Sequence, residues 1–172
     1  AIVGGGYHSI SQSSNAVIAG GATGNISNSD YSGIFAGMDN SITNTSDYST
    51  IIGGYGSTIG IRPACSTIIG GHDNVMDSAA GVSYPESCGI ICSSDCSIYG
   101  VGASSNRSNV ILGGNTNSIY VSGVAPSIQF NSIIGGFQNT INRSAQIGMF
   151  NCLFSTAQLA QNQTAVGGRG HT

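Results

Sequence analysis

Pairs of neighbouring apolar residues recur along the chain, and glycine follows each pair almost at once. The block IIGGYGSTI at residues 51–59 shows the pattern, with a further apolar residue at its ninth position. Related blocks begin at Ile2, Val17, Ile34, Ile51, Ile68, Ile90, Ile111 and Ile133. Self-similarity at a nearly fixed period predicts a repeat architecture, in which every block forms the same structural unit.

The spacing of the blocks divides each repeat into a constant and a variable part. Successive starts differ by 15, 17, 17, 17, 22, 21 and 22 residues, whereas the block itself keeps nine. In a repeat array the constant part packs and the variable part faces outward. We expect residues 1–172 to form a single array, with two degenerate blocks near residues 146 and 165. The second copy shows a one-residue slip, since Ile26 takes the place of its ninth residue.

Each block predicts two short β-strands separated by tight corners. β-Branched residues dominate the apolar pair, and the absence of a 3.6-residue period excludes a helix. The fourth position is glycine in seven of eight blocks, which predicts a corner with positive φ or a close backbone approach. Asn is frequent at the seventh position, where its tolerance of the left-handed region and its capping of turns with its own side chain predict a second corner. The predicted corner residues are Gly54, Gly71, Gly114, Gly136, Asn40, Asn74, Asn117 and Asn139.

These elements predict an all-β fold, a β-solenoid (β-roll or β-helix) of about ten short coils. Neighbouring residues of a strand point to opposite faces, so a doubly apolar pair predicts burial on both faces. We expect one residue to fill the coil and the other to contact another copy of the chain. The alternative is a corner that turns both residues inward. The expected seam residues are Ile51, Ile52, Ile68, Ile69, Ile111, Leu112, Ile133 and Ile134.

Composition argues against several functional classes. Charged residues make up 6% of the chain, and Lys plus Arg number 4. The basic footprint of a nucleic-acid-binding protein is therefore missing, and so is a polybasic membrane patch. No apolar run reaches the roughly 18 residues that a membrane span needs. Neither end shows a polar cap, and the chain opens inside a block. We therefore expect a fragment of a longer fibre, or molecules that join end to end.

The repeats resemble those of known fibrous surface proteins. The sequence STIIGGHDNVM at residues 66–76 resembles the head repeats of trimeric autotransporter adhesins of the YadA-like type. It is also similar to the Gly-Gly-x-x-Asn repeats of fibre proteins from phages and giant viruses. The resemblance extends over residues 2–141, although the repeats here are longer and less regular than those of the adhesin head. It implies a homotrimer of β-solenoid chains on a cell or virion surface, where the fibre attaches to a host glycan or receptor.

Five cysteines supply the first candidate chemistry. Three of them, Cys88, Cys92 and Cys96, follow one another at intervals of four residues. This spacing predicts that the three side chains lie on the same side of an extended chain, and it loosely satisfies the spacing of zinc ligands. Cys92 stands at a small-residue position and Cys96 replaces the corner Asn, so we favour buried packing. The alternative is a disulfide within or between chains, which could also include Cys65 and Cys152. A metal site is the third possibility.

Aspartates recur at equivalent positions of the repeat. Asp73 and Asp95 share the sixth position, and Asp30 and Asp47 each precede a block by four residues. Stacked coils bring the members of each pair about 5 Å apart. Such pairs suit Ca²⁺ binding or the carboxylate chemistry of a glycosidase. Repeated placement nevertheless favours solvated turn residues, so we expect no metal and no cofactor.

The histidines complete the candidate residues. His8 and His171 stand at the corner position, and His72 lies two residues from it. None has a Ser or Cys partner at a recognisable spacing, so a nucleophilic triad is not indicated. We therefore expect no catalytic residue and no enzyme activity.

Together these features predict a non-enzymatic structural fibre or filament segment, extracellular or on a cell or virion surface, with a role in attachment. Three other functions stay open. A self-polymerising extracellular filament would need no receptor. An ice-binding β-solenoid would present a flat ladder of Thr. A tailspike-type polysaccharide-binding protein would hold a carboxylate pair in a groove.

Overall fold

The repeats stack into two parallel β-sheets. A computed structural model describes residues 1–78, 85–101, 106–122, 131–142, 147–149 and 164–166. In this part of the chain every regular element is a strand. Each repeat adds one strand to each sheet, because the apolar pair and the ninth position lie on separate strands. The all-β, β-solenoid-like fold that the repeats predict is confirmed.

The two sheets contain eight strands each, and alternate strands of the chain belong to the same sheet. The first sheet comprises Ile2–Val3, Val17–Ala19, Gly33–Phe35, Thr50–Ile52, Thr67–Ile69, Gly89–Ile91, Val110–Leu112 and Ser132–Ile134. The second sheet comprises Ser9–Ser11, Asn25–Ser27, Ser41–Thr43, Thr58–Ile59, Val75–Ser78, Ser97–Val101, Ser118–Ser122 and Thr140–Asn142. Parallel pairing in register places each residue over its equivalent in the neighbouring coil, at about 4.8 Å.

Four further strands form two small parallel sheets. Pro85–Glu86 pairs with Asn106–Arg107, between the second sheet of one repeat and the first sheet of the next. Ile147–Met149 pairs with Thr164–Val166 in the region of the two degenerate blocks. Among the residues that the structure describes, we find no helical segment with the length and apolarity of a membrane span.

Strand register corrects the start of the second repeat. Ile18 lies opposite Ile34, whereas Val17 lies opposite Gly33. The first apolar position of this repeat is therefore Ile18, and the predicted start at Val17 is wrong by one residue. With the corrected start, Ile26 falls at the ninth position, and the slip disappears.

One apolar residue from each strand fills the interior of the coil. The first sheet contributes Ile18, Ile34, Ile51, Ile68, Ile90, Ile111 and Ile133. The second sheet contributes Ile26, Ile42, Ile59, Met76, Ile98, Ile119 and Ile141. At most 2% of each of these residues is exposed. Because burial of such a side chain stabilises a fold by roughly 1.5–3 kcal/mol, each coil contributes a similar increment.

The corner Asn joins each coil to the next through its side chain. Asn40 donates from Nδ2 to the carbonyl oxygens of Gly53 (3.1 Å) and Gly54 (3.3 Å). Its Oδ1 accepts from the backbone N–H of Ser57 at 3.0 Å. The positive φ of this corner belongs to the preceding residue, Asp39, at 56°. Of the two predicted reasons for Asn, tolerance of the left-handed region is therefore wrong, whereas capping of the turn by its own side chain agrees with these hydrogen bonds.

Later coils repeat this arrangement. Asn74 donates to the carbonyl oxygen of Ser93 at 2.8 Å and accepts from the N–H of Cys96 at 3.2 Å. Asn117 accepts from the N–H of Asn139 at 2.9 Å. All four corner Asn side chains are buried. The corner therefore satisfies backbone groups that lack a strand partner, as burial requires.

Serines do the same in the return limb, the segment between the second strand of one coil and the first strand of the next. Ser49 accepts at Oγ from the N–H of Ser66 (3.2 Å) and donates to the carbonyl of Pro63 (2.7 Å). In the preceding pair of coils, Ser29 Oγ likewise accepts from the N–H of Ser46 at 3.1 Å. In the short repeats the variable limb therefore faces outward only in part, because these serines are buried whereas Tyr31 and Tyr48 between them are exposed.

Replacing the corner Asn should destabilise the stack. We expect Asn40→Ala to lower the free energy of unfolding by about 3 kcal/mol, because it leaves buried backbone donors and acceptors unpaired. Urea unfolding followed by circular dichroism measures the change. The matched control is Asn25→Ala, whose side chain lies on the outer face and makes one hydrogen bond of 3.5 Å. This change should cost no more than about 0.5 kcal/mol. Equal losses in the two variants would contradict the role of the corner.

Candidate functional site

The second residue of each apolar pair lies on the outer face of the first sheet. We call these residues the outer file: Val3, Ala19, Phe35, Ile52, Ile69, Ile91, Leu112 and Ile134. Five large members have 38–62% of their surface exposed, and these are Val3, Phe35, Ile52, Leu112 and Ile134. Their register in the sheet makes the file continuous over all eight coils. The chain thus presents a line of apolar side chains to solvent.

The predicted seam residues divide between the two faces of the first sheet. Ile51, Ile68, Ile111 and Ile133 are fully buried inside the coil. Their neighbours are Ile52, Ile69, Leu112 and Ile134, of which Ile69 is half-buried and the others are exposed. The glycine corner does not turn both residues inward, because the strand continues through the pair.

No charge interrupts the surface around the outer file. From the residue before the apolar pair to the fourth position of the block, every described coil is free of Asp, Glu, Lys and Arg. We call this band the uncharged strip. Beyond the corner, the residue at the fifth position of each block forms a single parallel β-bridge with its equivalent in the next coil. Three of these residues add exposed apolar side chains to the same surface. These are Met38, Tyr55 and Phe137, which are 46%, 41% and 38% exposed.

The fourth-position glycines are required by the coil itself. Gly54, Gly71 and Gly114 have φ of 86°, and Gly136 has φ of 85°. A Cβ on Gly114 would lie 2.5 Å from the carbonyl oxygen of Gly136 in the next coil. Side chains do not fit at this distance, so stacking alone explains the glycine.

The third-position glycines differ, because no neighbouring atom of the coil excludes a side chain there. A Cβ on Gly53 or Gly113 would meet nothing within 4 Å. Their φ values of 67° and 68° lie in the left-handed region, where L side chains are strained, although Ala36 adopts 61° at the same position of its repeat. Six of the eight repeats carry glycine here. Backbone conformation, rather than stacking, thus favours glycine at this corner.

The described cysteines occupy different environments. Cys88 and Cys96 are buried, whereas Cys65 and Cys92 are exposed. The packing role therefore fits the first two only, and the prediction that Cys88, Cys92 and Cys96 share one side of the chain is wrong, since a corner separates them. Cys152 lies outside the described residues. No disulfide joins the described cysteines to one another.

Cys96 replaces the corner Asn in chemistry as well as in position. Its Sγ accepts from the N–H of Asn117 at 3.3 Å, as Asn Oδ1 does in other coils. Burial raises the pKa of the Cys96 thiol, and the contact with the Asn117 N–H partly opposes this effect. The thiol is therefore a structural hydrogen-bonding group.

Asp30 and Asp47 behave as turn residues. The Asp30 N–H donates to Asp47 Oδ1 at 2.7 Å, and the Ser14 N–H donates to Asp30 Oδ1 at 2.5 Å. Each carboxylate thus caps the backbone of the preceding coil, as expected for a turn. Beside them, Tyr31 and Tyr48 stack with ring centroids 4.9 Å apart.

Asp73 and Asp95 come together with a histidine that the sequence did not connect to them. Donor atoms of His72, Asp73 and Asp95 lie within 4.8 Å of one another. The alignment of the repeats already places Asp73 beside Asp95, and His72 immediately precedes Asp73. Because His72 is compared only with the corner position, its proximity to this pair of aspartates is missed.

The other two histidines play no such part. His8 stands at the corner position, and its Nδ1 accepts from the N–H of Gly24 at 3.0 Å. This contact reproduces the one made by Oδ1 of the corner Asn. His171 lies outside the described residues.

Comparison with known proteins found no matching family model, no matching curated protein and no matching solved structure. Assignment of function therefore rests on the surfaces of this chain.

Burial predicts how fast each thiol reacts. We expect iodoacetamide to modify Cys65 rapidly in the folded protein and Cys96 only after unfolding, because the reagent needs an accessible thiolate. Peptide mapping by mass spectrometry after timed labelling distinguishes the two sites. Unfolding in urea provides the control, since both cysteines should then react at the same rate. Fast labelling of Cys96 in the folded chain would contradict the packing of the corner.

Proposed function

We propose that the chain is a non-enzymatic structural segment of a surface fibre, in which parallel copies pack side by side through the uncharged strip. The observation that carries this proposal is the outer file, with Ile52 and Ile134 more than 40% exposed. Exposed apolar surface of this extent and continuity marks an interaction site. A second copy of the same chain matches it, because identical coils present apolar side chains at the same axial spacing.

The size of the strip supports a stable contact. Eight rungs at about 4.8 Å extend over about 34 Å. With a width of about 20 Å for the sheet and its corner, the strip covers about 700 Å², close to the roughly 800 Å² that each partner buries in a standard interface. The absence of charge on the strip removes the desolvation penalty that buried ions would impose.

The third-position glycines leave space for a close approach between copies. Their positive φ itself favours glycine, and no atom of the coil lies within 4 Å of a Cβ built on Gly53. A neighbouring chain packed against the corner would fill this space. Glycine at an interface lets two backbones approach closely, which increases the van der Waals contact between them.

We propose a homotrimer as the assembly, on the basis of the resemblance of the repeats to trimeric adhesin heads and viral fibres. The same resemblance supports an extracellular position on a cell or virion surface and attachment to a host glycan or receptor. The buried isoleucine files support the mechanical role, since a rod built from equal coils resists bending along its whole length.

Charging the strip should dissociate the assembly without unfolding the coil. We expect the wild-type chain to sediment as a trimer and Ile52→Asp to sediment as a monomer, because like charges would meet at the seam. Analytical ultracentrifugation measures the mass. Thr43→Asp, on the outer face of the second sheet, is the matched control and should remain trimeric. A monomeric wild-type chain, or equal dissociation of both variants, would sink the proposal.

One further function has a specific observation in its favour. The outer face of the second sheet carries small hydroxyl side chains at successive levels, and Ser11 donates to Ser27 Oγ at 3.2 Å. Ser41, Thr43 and Thr58 continue this face. A flat hydroxyl ladder favours an ice-binding surface as the second candidate. Serine prevails over threonine, however, so the predicted ladder of Thr is only partly present.

Thermal hysteresis distinguishes the second candidate from a fibre. For an ice-binding protein we expect a freezing point below the melting point at micromolar concentration, and for a fibre segment no gap. Ser27→Tyr disrupts the flat face and should abolish a gap caused by the hydroxyl ladder. Hysteresis that survives this change would exclude the second sheet as the ice-binding face.

A further inference from the structure

We propose that His72, Asp73 and Asp95 bind a divalent cation that accepts mixed imidazole and carboxylate ligands, with Mn²⁺ as its representative. The three side chains come from the corners of two consecutive coils, and their donor atoms lie within 4.8 Å of one another. His72 Nδ1 and Asp73 Oδ2 are 3.2 Å apart. Adjacent ligands of an octahedral ion with bonds of about 2.1 Å are about 3 Å apart, so this pair already has the spacing of two ligands.

The imidazole distinguishes this cluster from solvated carboxylates elsewhere on the repeat. It stacks on the Tyr55 ring with centroids 5.1 Å apart and an interplanar angle of 13°. In this stacked arrangement His72 Nδ1 lies 3.2 Å from Asp73 Oδ2, and a ring nitrogen lies within 4.8 Å of the Asp95 carboxylate. Imidazole nitrogen with carboxylate oxygen is a common donor set for first-row divalent ions.

Charge also favours a cation at this position. The neighbouring carboxylates of Asp73 and Asp95 repel each other, and among the described residues neither forms an ion pair with Lys or Arg. Asp95 Oδ2 accepts from Ser94 Oγ at 2.8 Å, a contact that orients the carboxylate but does not neutralise it. His72 and Asp73 are 52% and 48% exposed, which leaves room for water at the other coordination positions.

The position of the cluster indicates what the cation would do. Asp73 belongs to the repeat that starts at Ile68 and Asp95 to the repeat at Ile90, where the period changes from 17 to 22 residues. A bound ion would join the corners of these two coils from outside. The expected result is a higher unfolding temperature in the presence of the ion, because binding to the folded chain alone stabilises it.

Replacing each of the three side chains in turn, Asp by Asn and His by Gln, tests whether it binds the ion. Mn²⁺ is titrated into the full chain, and the electron paramagnetic resonance signal of the free ion reports binding. We expect a single saturable site, and each of Asp73→Asn, Asp95→Asn and His72→Gln should weaken binding by roughly tenfold or more. Asn tolerates the left-handed backbone of both Asp positions, so these variants should keep the fold.

Asp39→Asn is the matched control, because Asp39 has the same repeat position but Met38 at its bridge. It should leave binding unchanged. Mn²⁺ should also broaden the amide NMR signals of residues 72–73 and 94–95 selectively in the wild-type chain, a readout that needs no variant. Equal weakening in Asp39→Asn would show general charge screening and overturn the site. Normal binding by His72→Gln would overturn the mixed ligand set, and uniform broadening would overturn the location.

Discussion

The narrow interior of the coil is the constraint on which the rest of the structure depends. A repeat of 16 or 17 residues encloses space for only one side chain from each sheet, so Ile34 and Ile42 fill the interior of their coil. Parallel register then places identical side chains above one another, and the same contact recurs at every level. Each coil cannot bury its apolar residues alone, and stacking supplies the missing neighbours. Stability is therefore distributed evenly along the rod.

A coil this narrow turns sharply, and every turn leaves backbone groups without strand partners. Burial makes such groups costly unless a hydrogen bond satisfies them. Asn40 and Ser49 meet this need from neighbouring coils, by accepting from an N–H and donating to a carbonyl on the next level. Cys96 and His8 replace Asn with the same acceptor function. The narrow coil therefore explains both sets of stacked side chains, the polar ones at the corners and the isoleucines in the interior.

Much of this fold could be predicted from residue spacing. Alternation along a strand separates Ile51 from Ile52, and glycine after the pair indicates a corner. The partners of the side-chain hydrogen bonds of Asn40 and Ser49 could not be inferred, because these bonds connect residues that are neighbours only after stacking. His72 is a different case, since the repeat alignment places Asp73 beside Asp95 but does not show where the imidazole ring of the preceding residue lies. The predicted start at Val17 is wrong because two apolar residues in sequence do not reveal which of them points inward.

One kind of residue remains after the demands of the coil are met. The interior isoleucines, the fourth-position glycines and the corner Asn are each explained by contacts within the stack, and the third-position glycines by their left-handed backbone. Ile52 and its equivalents on the outer face are not, since burial within one chain does not require them. Apolar surface of this length favours association of an isolated chain. A partner that covered this face would have to match the period of the coil, and a second copy of the chain, the partner that we propose, has that period.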